Sequence, residues 1–269
     1  MSGILTLDIG NTDIVTVLYT DDGLRLRDDR RMTIKEESYQ RYQSFFQTII
    51  KEFNVESPSA VILSCVVPQI RETVFAIMEE TWPNTKLLSV VPGILPEMNV
   101  MLEEPRELGA DIVATNTGAY YKYKDWTIVA DLGSATKLSV IDGDFNFYGG
   151  IIVPGIAFQA KSLHQMIPHL PHIELKKPEH IVGQNTIASI QSGIINGSLA
   201  AIVELARQIE QEMGHPCRKI MTGGLAKLYT PEDLGDFEYD EFLLSDGLYQ
   251  IAKARIQDEP AKKNSISLD

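Results

Sequence analysis

Apolar and polar positions divide the chain into short β-branched runs and longer stretches of helical period. ILTLDIG (4–10) and DIVTVLYT (13–20) are apolar runs separated by two polar residues, a pattern that predicts a hairpin. LRLRDDRRMTI (24–34) alternates and predicts a third strand. Residues 38–53 carry apolar positions at helical spacing, so an amphipathic helix is expected there. SAVILSCVV (59–67) is almost wholly apolar, as a strand buried on both faces would be. Pro68 closes that run, and QIRETVFAIMEETW predicts a second helix. KLLSVV then reads as a strand, 107–121 as a helix and 126–142 as strand, turn and strand. GGIIVPG (149–155), with two glycines and a proline, reads as a loop. Helices are expected at AFQAKSLHQM and over 186–214, the second ending at Gly214 in a C-cap position. RKIMTGGLAKL predicts strand, glycine pair and helix start, and FLLSDGLYQIAKAR a closing helix. Residues 257–269 are polar and predict a disordered tail.

Strand clusters followed by helices indicate a mixed α/β fold. The pattern also repeats. LTLDIGNTDIVTVLY and TIVADLGSATKLSVI share one plan: apolar strand, Asp, apolar residue, Gly, small polar residues, second strand. Asp8 and Asp131 lie about half the chain apart, which suggests duplication into domains 1–122 and 123–256. Two such halves would face their Asp-bearing turns across a cleft.

Composition narrows the function classes. The chain has 269 residues and a formal net charge of -13, so nucleic acid and anionic membrane are poor partners. Two cysteines, Cys65 and Cys217, fit a reducing compartment better than a disulfide scaffold. Apolar runs look too short for a transmembrane helix, and MSGILTLDIG lacks the basic start of a signal peptide. The expectation is a cytoplasmic protein.

The repeated plan suits phosphoryl transfer from a nucleotide. That reaction needs backbone N–H groups around phosphates, a divalent cation and a carboxylate at the acceptor. Asp8 and Asp131 end strands, where they could hold Mg²⁺ directly or through water. Gly10, Asn11 and Thr12, and likewise Gly133, Ser134, Ala135 and Thr136, could grip phosphate oxygens. Gly223 and Gly224 in TGG would offer further N–H groups beside a nucleoside. Plainer readings stand beside these. Asp, Gly and Asn are ordinary turn residues, ELGAD is also a plain helix start, and Asn185 competes with Thr186 to cap the long helix. Lys137 fits a surface strand position as well as a phosphate contact. Cys65 fits a small buried hydrophobe. His164, His169 and His172 match no common zinc spacing.

The hairpins resemble those of the actin, Hsp70 and sugar-kinase ATPase superfamily. More closely, DIGNTDIV, SCVVP, EPRELGAD, DLGSAT, GGIIVPG, LPHIEL, GQNTIASIQSGIING and TGGLA occur in the order found in type III pantothenate kinases. These pieces lie within a resemblance that runs from residue 4 to about 256. The resemblance implies two duplicated ribonuclease H-like (actin-like ATPase) domains with an interdomain cleft. It implies phosphorylation of pantothenate with ATP, Mg²⁺ and a monovalent cation, K⁺ or NH₄⁺. It places Asp8, Gly10, Asn11 and Thr12 at the Mg·ATP phosphates, and Asp111 as the base at the pantothenate hydroxyl. Asp131 would meet the monovalent cation, with Thr136 in the same phosphate-facing turn. Gly109 and Ala110 would admit the acceptor, and Thr186 would contact pantothenate from the neighbouring subunit of a homodimer.

The chain departs from the family's pattern at named positions. Ile112 follows Asp111 where the family has an arginine expected to bind the pantothenate carboxylate. Leu102 stands where a pocket tyrosine is common, and Lys137 and Asp13 replace a threonine and an asparagine in the two turns. A family member with another acceptor, or one that binds ligand without catalysis and acts in regulation, is the alternative reading.

Overall fold

The computed structural model describes residues 3–34 and 38–257. The expected tail from 258 onward lies outside them. Two compact units form, each with its own sheet and core. The expected boundary at 122/123 follows the repeat in sequence. The compact units instead place residues 96–107 with the second unit, and Leu108–Gly118 and the chain from Leu244 with the first.

In the first unit β1 (Ile4–Ile9), β2 (Asp13–Tyr19) and β3 (Arg25–Met32) form an antiparallel meander. β4 (Ala60–Cys65) and β5 (Lys86–Ser89) add in parallel, giving the order β3-β2-β1-β4-β5. Side chains alternate across β1. Leu5, Leu7 and Ile9 enter a core with Tyr42, Phe46 and Ile49 of α1 (Tyr39–Phe53) and Val74 and Ile77 of α2 (Pro68–Thr81). Ser38 caps α1 by accepting from the Arg41 N–H, and Asn54 ends it in the left-handed region. Pro68 is the first residue of α2, where its missing N–H is harmless.

The other face of β1 carries Ile4, Thr6 and Asp8. On that face Tyr19, opposite Ile4, donates its hydroxyl to Asp246 at 2.6 Å and packs on Tyr249 of α8 (Leu243–Gln257). α8 in turn meets α3 (Ala110–Tyr123) at Gly247, where a Cβ would come within 1.8 Å of the Ala114 carbonyl oxygen.

The second unit repeats the plan. β7 (Thr127–Leu132), β8 (Ala135–Ile141) and β9 (Asn146–Pro154) are antiparallel, and β10 (Arg218–Thr222) and β11 (Phe237–Tyr239) run parallel beside β7. The order β9-β8-β7-β10-β11 matches the first sheet strand for strand, with β6 (Asn99–Val100) added outside β9. Duplication is therefore visible in topology and strand sense. Ile128, Ala130 and Leu132 of β7 pack with Ile194, Ile195, Ile202 and Ala206.

The expected loop at 149–155 is corrected: it is most of β9. Its glycines lie inside the strand because the neighbouring backbone comes close. A Cβ on Gly150 would lie 2.2 Å from the Leu138 carbonyl oxygen, and Gly149 takes φ +118° beside a bulge in the β8–β9 register. α4 (Ile156–Met166) follows.

The long helix runs as α5 (Thr186–Gln191), a π-helical turn (Ser192–Asn196) and α6 (Gly197–Met213), closed by Gly214 at φ +73°. Contrary to the expectation from apolar run length, this 28-residue helix is long and apolar enough to cross a membrane by length and composition. One of its faces belongs to the second unit's core. The short α7 (Pro231–Leu234), β6 and β11 escaped the periodicity because they span too few residues to show one.

Candidate functional site

In the first unit the candidate residues sit at the end of β1 and the start of α3. Asp8 is opposite Val15 on β2 and Ser64 on β4, and the Ser64 hydroxyl donates to Asp8 Oδ1 at 2.8 Å. The bend after β1 closes through the Gly10 N–H, which donates to the Asp13 carbonyl at 2.9 Å. Thr33 holds the bend from outside by donating its hydroxyl to the Gly10 carbonyl at 2.7 Å. Asn11 and Thr12 are left exposed at the tip. A half-buried carboxylate beside an open Gly-Asn-Thr bend suits a hydrated divalent cation and phosphate oxygens.

Asp111 lies in the first turn of α3, where a carboxylate is favoured by the helix dipole. Its Oδ1 accepts from the Ile112 N–H at 2.9 Å and lies 2.8 Å from where a Cβ on Gly109 would stand. The carboxylate thus folds back over Gly109, which explains the glycine there. Ala110 is the first residue of the helix. Asp8 and Asp111 belong to one unit, and α3 packs on α8, which covers the sheet face bearing Asp8.

In the second unit three glycines gather around the Asp131 turn. Gly133 donates its N–H to the Ala135 carbonyl at 3.2 Å, making a bend one residue shorter than the first. A Cβ on Gly155 would lie 2.4 Å from the Ser134 carbonyl oxygen, so the N-terminus of α4 rests on this bend. Gly223, at φ +91°, passes so close that a Cβ would lie 2.6 Å from Asp131 Oδ1. Gly224 follows it, exposed, at the start of a 3₁₀ turn. Gly155 was not among the candidates named for the site; the signal was the VPG at the end of β9.

Three sequence expectations change here. Thr136 is not in the bend but on β8 opposite Leu132, and its hydroxyl is buried with no hydrogen-bond partner. Alternation turns it toward the core, away from the face of Asp131. Lys137 is not a solvated surface lysine: its Nζ lies 2.8 Å from Asp131 Oδ2. Thr186 leaves the cap to Asn185, whose side chain accepts from the Ala188 N–H at 2.9 Å.

Thr186 lines an open groove of about 780 Å³ with Leu163, Leu170, Asn185, Ile190 and Gly193. The π-helical turn borders this groove, as such turns often border functional sites. Leu102 lies elsewhere in the unit, its Cδ2 3.4 Å from where a Gly149 Cβ would stand.

The rings of His164 and His172 lie with centroids 3.6 Å apart and planes tilted by 36°, and His164 Nδ1 lies 2.6 Å from the Leu170 carbonyl oxygen. Among the described residues no group of three or more His, Cys, Asp or Glu could hold a metal ion. Cys65 points into the first core, and burial, then the nearby Asp8 charge, raises its thiol pKa, leaving it an inert hydrophobe.

The chain is similar to known proteins over most of its length. The type III pantothenate kinase family model matches residues 4–208. A type III pantothenate kinase of Exiguobacterium sibiricum is 35% identical over 253 residues, covering 91% of this chain and 96% of the relative. One from Myxococcus xanthus is 30% identical over 251 residues, covering 91% and 96%. Component A of the (R)-2-hydroxyglutaryl-CoA dehydratase of Acidaminococcus fermentans has a similar fold at TM-score 0.57 and 11% identity, over 94% of this chain and 97% of that one. The fold is the duplicated α/β fold of actin-like ATPases. With matched hairpins in both units and relatives aligned over nine-tenths of its length, the chain belongs to the type III pantothenate kinase family.

Proposed function

We propose that the chain is a pantothenate kinase: it moves the γ-phosphoryl group of ATP to the hydroxyl of pantothenate, giving 4'-phosphopantothenate for coenzyme A synthesis. The observation that carries this reading is kinship with pantothenate kinases over about nine-tenths of the chain, together with the paired Asp-and-glycine bends of the two sheets. Asp8 and the bend at Gly10, Asn11 and Thr12 are assigned to the Mg²⁺-bound phosphates, whose charge that ion would neutralise. Ser64 holds the Asp8 carboxylate in place. Gly133, Ser134, Gly223 and Gly224 are assigned to the nucleotide in the second unit. Asp111 accepts the proton of the attacking hydroxyl, a role that needs alignment more than basicity. Gly109 and Ala110 leave space for the acceptor.

The groove at Thr186 is assigned to a homodimer contact, through which Thr186 would reach the neighbouring subunit's acceptor. Ile152, Phe158, Met166, Ile187 and Val203 support this, because each is a large apolar side chain exposed in the second unit. A negative net charge and two free cysteines suit a reducing cytoplasm.

The test is ADP release from ATP on addition of pantothenate, with mass-spectrometric detection of the phosphorylated product. Pantothenate-dependent release in the native chain, lost in Asp111→Asn while ATP still binds, is expected. Bound ATP with no turnover of pantothenate would overturn the reading. A second reading, a different small hydroxylated acceptor, is favoured by one observation: Ile112, directly beside Asp111, offers no charge to a carboxylate. A panel of small alcohols in the same assay separates the two.

A further inference from the structure

The family resemblance assigns Asp131 to a monovalent cation, and the residues present do not fit one. The short bend at Gly133–Ala135 sets a register in which Lys137 stands directly opposite Asp131. In the first hairpin the longer bend puts Val15 opposite Asp8, so the lysine belongs to the second site alone. Lys137 Nζ lies 2.8 Å from Asp131 Oδ2, and the two side chains are only 16% and 17% exposed. The other oxygen, Oδ1, lies against the Gly223 backbone. Thr136, next to Lys137 in sequence, turns to the opposite face of the sheet. A potassium ion here would have to share one carboxylate with a positive group already in contact with it.

We propose that the Lys137 ammonium stands where a monovalent cation would bind, making this chain's phosphoryl transfer independent of potassium and ammonium. The inference rests on the kinase reading above. An alkylammonium and K⁺ carry the same charge in a similar size, so the carboxylate is neutralised either way. The tethered group needs no concentration in solution. Removing it leaves a half-buried carboxylate uncompensated, an unfavourable state that a free cation can relieve.

The experiment compares tetramethylammonium chloride with potassium chloride at equal ionic strength, in native protein, Lys137→Met and the double variant Asp131→Asn/Lys137→Met. Two readouts are used: turnover of pantothenate and the thermal unfolding midpoint, which needs no catalysis. Native turnover and midpoint are expected to be the same in both salts, within about twofold for turnover. Lys137→Met should lose roughly tenfold or more in turnover without potassium, regain it on saturable titration with potassium, and show a potassium-specific rise in midpoint. The double variant should show no such rise. Native protein that needs potassium for turnover, or is stabilised by it specifically, overturns the proposal even if no variant folds. So does a Lys137→Met protein indifferent to potassium in both readouts. Absence of turnover in every salt refutes the kinase reading, and the midpoints then decide the cation question alone.

Discussion

Ser64 and Asp8 face each other across the parallel β1–β4 pair, and the Ser64 hydroxyl donates to Asp8 Oδ1 at 2.8 Å. Ser64 is fully buried, so the bond fixes the carboxylate from inside the sheet. The repeat places Thr222 opposite Asp131 in the same register. Ser64→Ala removes the donor without filling or emptying much volume. It should cost about 1 kcal/mol in urea unfolding and raise the KM for Mg·ATP roughly tenfold, with a smaller effect on KM for the acceptor.

Two glycines that touch aspartates should respond differently to alanine. At Gly109 the new Cβ meets only the end of the Asp111 side chain, 2.8 Å away, which can swing aside. Gly109→Ala should therefore lose at most about 1 kcal/mol of stability but displace the Asp111 carboxylate, proposed above as the proton acceptor, lowering kcat by roughly tenfold or more. At Gly223 the new Cβ meets the Leu132 backbone at 2.7 Å, and φ is +91°. Gly223→Ala should cost about 2–4 kcal/mol of stability. Parallel urea melts and steady-state kinetics distinguish a positional loss from a folding loss.

Much of this was legible in the sequence because the hairpins are written in short-range rules. ILTLDIG and TIVADLG announce a strand ending at a carboxylate and a glycine bend, and both form as read. Gly214 ends the long helix in the left-handed conformation that its position implied. GGIIVPG misled because its glycines answer the approach of β8 rather than a turn, and the approach of a neighbouring strand leaves no local trace. Thr136 and Lys137 were adjacent candidates of equal appearance. Only the cross-strand register, set by a bend one residue shorter than its twin, sends one to the core and the other to Asp131.

Asp142 should make the second unit acid-sensitive. It is 5% exposed between β8 and β9. Burial pushes its carboxyl pKa up, but hydrogen bonds from the Asn146 side chain and N–H, the Tyr148 hydroxyl and the Asp144 N–H outweigh that and hold it below the ordinary value. A depressed folded pKa contributes stability that is fully present above the unfolded value, near 3.9, and lost as pH falls through the folded one. Asp142→Ala should thus be less stable than native protein by about 2–4 kcal/mol at pH 7. The gap should narrow below about pH 4 as the native carboxyl protonates. Urea unfolding from pH 7 down to pH 3 measures it, and a gap constant across that range would contradict the assignment.

Ile112 offers the sharpest test of which acceptor the site prefers. It follows Asp111 in the first turn of α3, is half-buried, and its Cδ1 lies 4.0 Å from where a Gly109 Cβ would stand. An arginine at this position could extend past Gly109 toward the acceptor and pair with its carboxylate through two parallel N–H donors. A charge-assisted pair of that kind is worth about 1.5–3 kcal/mol, or roughly ten- to hundredfold in affinity. If pantothenate is the native acceptor and another group already holds its carboxylate, Ile112→Arg should change its KM by less than about threefold. If the pocket is built for an uncharged acceptor, the variant should lower KM for pantothenate roughly tenfold or more and raise it for neutral alcohols that the native chain turns over. Both outcomes leave kcat with the best acceptor nearly unchanged, because Asp111 and the phosphate bends are untouched. A variant whose kcat collapses for every acceptor would mean instead that Ile112 positions Asp111, to which its own N–H is hydrogen-bonded at 2.9 Å.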